Sequence, residues 1–190
     1  MDERTIVSKV NGYLHSATKE LSAWLGKMLP RVTDDWWQEC VISNLSPAQQ
    51  EVAAENGYTT LDQFDLAALL RITNKSWVDM RAFAYLPTAQ RNCVREMMKV
   101  RNNWAHCAGT LPGKDVVLED LDIILEFFET VIITNKYSDD LDEFTAKVEA
   151  MDFSTVNKDE EVVLSEPSDN ASEVSVQPSE IKEKDTVFLT

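Results

Sequence analysis

The chain has 190 residues, room for one domain of ordinary size plus a tail, and 44% apolar residues with five tryptophans suffice to fill one core. Five glycines and six prolines are too few for a turn-rich sheet protein, so the predicted fold class is all-α. A net charge of −15 would count against a nucleic-acid partner if it were spread evenly, but residues 1–135 carry 13 basic and 18 acidic side chains while residues 136–190 carry 5 and 15.

From Ile6 to Met28 the apolar positions Val7, Val10, Leu14, Ala17, Leu21, Trp24, Leu25 and Met28 recur every three or four residues, and Pro30 follows. This predicts a long amphipathic first helix. His15 sits on it without an acidic or serine partner at i±4 and reads as a structural or surface histidine. Asp34 and Asp35 precede WWQECVISNL and predict a second helix, because acidic side chains favour the positive end of the helix dipole. Ser46-Pro47-Ala48-Gln49 combines an N-cap serine, a proline at N1 and a glutamine at N3, and Gly57 stands at the far end, so a short helix is expected over 47–56.

LDQFDLAALLRI at 61–72 places Leu61, Phe64, Leu66, Leu69 and Leu70 near one face. Thr73-Asn74-Lys75-Ser76 then interrupts the pattern, predicting two helices or one kinked helix up to the WVDMRAFAYL stretch. Pro87 and Thr88 open the next helix, which Gly109, Pro112 and Gly113 close; Asp115 is the expected cap of VVLEDLDIILEFFETVIIT, a helix with a broad apolar face. A more polar helix is expected over 139–152.

These elements suggest a helical domain over 1–135, a trailing polar helix within 136–153, and a disordered acidic tail or linker over 154–190, where Ser, Glu, Pro and Lys replace large apolar residues. The apolar ending VFLT suggests a further domain in a longer protein. Cys40, Cys93 and Cys107 fall into no CxxC or metal-ligand spacing, and no signal-peptide pattern is visible, so the expectation is reduced thiols and a cytoplasmic protein. The longest apolar run, 123–133, is broken by Glu126 and Glu129, so no membrane span is expected.

Within 71–114 there are eight basic residues and two acidic ones, a local basic surface on an acidic chain. On a helical wheel of 88–108, Val94, Met97, Met98, Trp104, Ala105 and Ala108 gather on one face, with Arg101 in its middle. The opposite flank stacks Arg91, Arg95, Lys99, Asn102 and His106 into a positive ridge. Arg101 and His106 point roughly 140° apart on an ideal helix, so one copy of the helix does not easily aim both at one phosphate. With only two histidines in the chain, proton transfer near neutral pH would run through His15 or His106. The structural alternative pairs Arg101 with Glu126 or Asp122 and leaves His106 to cap its own helix.

An arginine followed by asparagine and then WAH, near a helix end in a small all-α domain, resembles the HEPN (higher eukaryotes and prokaryotes nucleotide-binding) superfamily. Its signature is Arg-x4-6-His with a polar residue often directly after the arginine; here it reads Arg101-Asn102-Asn103-Trp104-Ala105-His106. DDWW at 34–37, FDLAALLRI at 64–72, Trp77 and then VRNNWAH extend the likeness to the Swt-type branch over about 10–135.

The resemblance implies a HEPN-like helical bundle that forms a homodimer about a two-fold axis, bringing two Arg-x4-His segments into one cleft. It also implies a metal-independent endoribonuclease without a cofactor, as a module of a stress or antiphage defence system with a partner or further domains. Carried over by position, His106 is the general acid or base, Arg101 the phosphate clamp and Asn102 a polar helper. Arg91, Arg95 and Lys99 are candidate RNA-backbone contacts from the wheel alone, against the alternative of a solvated face. A second function class stays open: a non-catalytic HEPN-like dimerisation or partner-binding module. A small-molecule nucleotide site is disfavoured, since no glycine-rich phosphate loop occurs.

Overall fold

In the computed structural model the first helix, α1, spans Glu3–Met28, starting earlier than the apolar spacing suggests because the Asp2 carboxylate accepts the Thr5 N–H at 2.8 Å. It buries Ile6, Val10, Ala17, Leu21 and Leu25 and leaves His15 exposed. The structure describes residues 1–105, 107 and 111–153, so the expected tail at 154–190 and the expected helix end at Gly109 lie outside the described residues.

The segment after Asp34 and Asp35 departs from a regular helix. It winds as a π-helical turn over Trp37–Val41 and a 3₁₀ turn over Ile42–Asn44. Polar side chains take up carbonyls there: the Ser43 hydroxyl donates to Gln38 O at 2.7 Å and the Asn44 amide to Cys40 O at 2.9 Å. Such side-chain competition for backbone acceptors explains why the local pattern did not continue as an α-helix.

Helix α2, Pro47–Glu55, has the expected capping box: the Ser46 hydroxyl accepts the Gln49 N–H at 3.3 Å and the Gln49 Oε1 accepts the Ser46 N–H at 3.0 Å. Its exit is a Schellman arrangement, with Tyr58 N–H bonded to Ala53 O and Gly57 N–H to Ala54 O. Gly57 takes φ +63°, a left-handed conformation that a side chain would oppose.

Helix α3 runs without interruption over Leu66–Met80, correcting the break expected at Thr73–Ser76. The Thr73 hydroxyl bonds back to Leu69 O at 2.7 Å, and Ser76, fully buried, receives the Asn44 amide at 3.0 Å. Both polar groups are thus satisfied inside the bundle, so neither stops the helix. Leu61–Gln63 forms a separate 3₁₀ turn, and Asp65 caps α3 by accepting the Ala68 N–H at 2.9 Å.

Helix α4 spans Thr88–Ala105 and α5 spans Lys114–Glu126. Gly113, and not the expected Asp115, is the N-cap of α5; Asp115 lies in the first turn, where the dipole favours its charge. The chain continues as a π-helical turn over Phe127–Ile132 that ends at Ile133 with φ 60°. Helix α6, Ser138–Glu149, buries Leu141, Phe144 and Val148 and is tied to α1 by Asp140, which meets Lys9 Nζ at 2.8 Å and accepts the Tyr13 hydroxyl at 2.8 Å.

The fold is all-α, with no strand among the described residues. Helix α3 packs between α1 and α4, α5 lies against α4 and α6, and Trp77, Phe127, Phe128 and Met97 are fully buried at the centre. Trp36 and Trp37 pack at the edge of this core, Trp37 lying 6.1 Å from the Phe64 ring. No helix among the described residues is long and apolar enough to cross a membrane.

Candidate functional site

Helix α4 inserts Cys93, Val94, Met97, Val100 and Trp104 into the core, a set centred roughly 50° away from the face drawn on the wheel. Including Cys93 and Val100 moves the apolar centre, so Arg101 stands on the flank of that face, not in its middle, and Ala105 is exposed. The cost of burying a guanidinium therefore does not arise: the Arg101 side chain keeps 29% of its surface.

The partner of Arg101 is Asp65, not Glu126 or Asp122. Arg101 Nη2 meets Asp65 Oδ2 at 2.9 Å, and Nη1 donates to Asn102 Oδ1 at 3.3 Å. Asp65 divides its carboxylate between two tasks, one oxygen capping α3 and the other holding Arg101. Arg101 at the end of α4 meets Asp65 at the start of α3, while Arg91 near the start of α4 meets Asn74 further along α3, so the two helices run antiparallel. The signal for Asp65 was present in the sequence as an aspartate directly before LAALLRI, a pattern for an N-cap.

The end of α4 is pinned from below. Trp104 Nε1 donates to Asp120 on α5 at 2.7 Å, both residues being buried. Burial pushes the Asp120 carboxyl up, and the indole N–H opposes that rise. This anchor lies three residues after Arg101 and two before His106. His106 itself lies outside the described residues.

Of the ridge residues, Arg91 and Arg95 meet at one point: Asn74 Oδ1 accepts Arg91 Nε at 3.0 Å and Arg95 Nε at 3.4 Å, while Asn74 O accepts Arg91 Nη2 at 2.9 Å. Arg91 is half-buried by this clamp and Arg95 is exposed. Lys99 is exposed and pairs with Glu96 at 2.7 Å one turn earlier, which neutralises much of its local charge. Along the helix axis Arg91 and Arg101 are about 15 Å apart, so one extended strand, not one phosphate, would touch both. Asn102 is exposed beside Arg101.

Burial pushes all three thiols up, Cys93 to about 12, so none is a thiolate near neutral pH. Cys107, the neighbour of His106, also donates its thiol to Asn103 O at 3.2 Å. No group of three His, Cys, Asp or Glu among the described residues could hold a metal ion. The described chemistry of the site is thus a presented guanidinium, an adjacent amide and a basic ridge, groups whose donors suit phosphate oxygens.

The family described as Swt1-like HEPN matches residues 13–132. That span runs from the middle of α1 to the end of the π-helical turn after α5, and so includes Asp65 and all of α4. No curated protein and no solved structure matches the chain.

Proposed function

Because the chain belongs to the Swt1-like HEPN family, we propose that it is an endoribonuclease that cleaves RNA without a metal ion or other cofactor, working as a homodimer. The observation that carries the reading is Arg101: a guanidinium at the end of α4, half-exposed and held by Asp65 and Asn102, inside the family's Arg-x4-His pattern.

In this reaction the ribose 2′-oxygen forms a bond to the adjacent phosphorus while the bond from phosphorus to the 5′-oxygen breaks. The products are a 2′,3′-cyclic phosphate and a free 5′-hydroxyl. The 2′-proton passes to a base and the leaving oxygen takes a proton from an acid, roles that an imidazole can fill near neutral pH, and His106 is the residue assigned to them. Arg101 stabilises the charge that grows on the non-bridging oxygens, and Asn102 orients the phosphate. Since residues five apart point roughly 140° apart on an ideal helix, the second copy of the segment supplies the opposing group in this reading. Arg91 and Arg95, clamped together by Asn74, take the strand's flanking phosphates, and Lys99 adds a weaker contact.

One observation favours the other reading, a dimerisation or partner-binding module without catalysis: Asp65 already occupies one edge of the Arg101 guanidinium. The two readings part when the purified chain is incubated with RNA in EDTA. The ribonuclease reading expects fragments ending in cyclic phosphate, lost in His106→Ala and reduced in Arg101→Ala. Absence of cleavage, or cleavage untouched by His106→Ala, rejects it.

A further inference from the structure

Between α2 and the start of α3 lies a groove of about 370 Å³, lined by Gln49, Val52, Tyr58, Gln63, Phe64 and Asp65 among others. Its lining reaches the site just described, for the same Asp65 pairs with Arg101. Two amides face this space with an enforced orientation. Gln49 Oε1 accepts the Ser46 N–H at 3.0 Å, and Gln63 Oε1 accepts the Thr59 and Thr60 N–H groups at 2.7 and 2.9 Å. A backbone N–H can meet only the oxygen of an amide, so each Nε2 is left on the free side with both its protons. Neither Nε2 makes a hydrogen bond among the described residues. The half-exposed Tyr58 ring forms an aromatic wall, backed edge to face by the buried Phe64 ring 5.2 Å away, and Val52 at the rim is 46% exposed.

A ring surface beside two fixed donors suits an unpaired nucleobase, which stacks on the wall and offers acceptors to the amides. Guanine presents O6 and N7 as adjacent acceptors, whereas adenine and cytosine place an amino donor on the same edge and uracil offers only O4 there. We infer that the groove between α2 and α3 is a base-recognition subsite that selects guanine next to the phosphate held by Arg101. The inference rests on the ribonuclease reading for its substrate class, while the selection is read from binding.

The test uses the full chain carrying His106→Ala, so that RNA is not consumed, and fluorescence anisotropy with a labelled oligoadenylate containing one central guanosine or none. The guanosine oligomer should bind about tenfold tighter, the discrimination expected of a two-donor contact. Gln49→Glu and Gln63→Glu keep the capping oxygen and the fold but lose the donor, so each should bring the ratio close to one, with the thermal midpoint little changed. Val52→Trp fills the rim and should do the same. A ratio near one before these changes, or a preference that survives all three, overturns the subsite. A guanosine preference in a chain that cleaves nothing in EDTA leaves the subsite standing and removes the ribonuclease reading; cleavage with no base preference does the reverse.

Discussion

Asp65 holds two structures at once, and substituting it separates them. One oxygen caps α3 through the Ala68 N–H at 2.9 Å and the other meets Arg101 at 2.9 Å, with 57% of the Asp65 side chain and 29% of the Arg101 side chain exposed. Asparagine is as good an N-cap as aspartate, so Asp65→Asn keeps the first role and loses the second, costing about 0.2–1 kcal/mol for a solvent-exposed pair. Asp65→Ala loses both and costs about 1–2 kcal/mol once a typical cap is added. Urea unfolding followed by tryptophan fluorescence reads the difference: with unchanged slopes of about 1–3 kcal/mol/M, the alanine midpoint falls by roughly 0.3–2 M and the asparagine midpoint by clearly less. The same substitution tests function. Asp65→Asn removes a carboxylate that competes with phosphate for Arg101, so RNA affinity should rise by about 1.5- to 5-fold, the fold-change equivalent of that pair energy. Equal destabilisation by asparagine and alanine would refute the capping argument, and a fall in RNA affinity would refute the competition.

Trp104→Phe strips Asp120 of its indole donor inside the core and should cost about 1–3 kcal/mol in the same unfolding assay, the penalty of an unmet buried acceptor. Burial raises the Asp120 carboxyl above its ordinary value of 3.8, so its contribution to stability is complete below that value and is lost as pH rises through the raised one; Asp120→Asn should flatten the stability profile in that window. Asp140 behaves oppositely. Lys9, then Tyr13, hold its carboxyl low, so the stability it adds is present above 3.8 and lost as pH falls; Lys9→Met should make acid unfolding begin closer to the ordinary carboxylate range.

What could be read from the chain alone followed how local its causes were. The Ser46–Gln49 capping box and Gly57 were legible because their partners lie within a few residues. The break expected at Thr73–Ser76 was not real, since Ser76 finds Asn44 and Cys40 across the bundle, beyond any window of periodicity. The DDWW segment misled for the related reason that Ser43 and Asn44 take carbonyls that a helix would use. At the candidate site, Arg101 was singled out by its motif, but its partner Asp65 lies 36 residues away and depends on α3 and α4 being antiparallel. The apolar face of α4 was drawn without Cys93 and Val100, which is why Arg101 looked central.

In the proposed reaction the ribose 2′-oxygen attacks its own phosphate beside Arg101 and His106. A short RNA with one 2′-deoxynucleotide at the mapped cleavage position, incubated with the chain in EDTA, tests it most directly. Cleavage should vanish at that position alone and persist at other sites; continued cutting at the 2′-deoxy position would contradict the account.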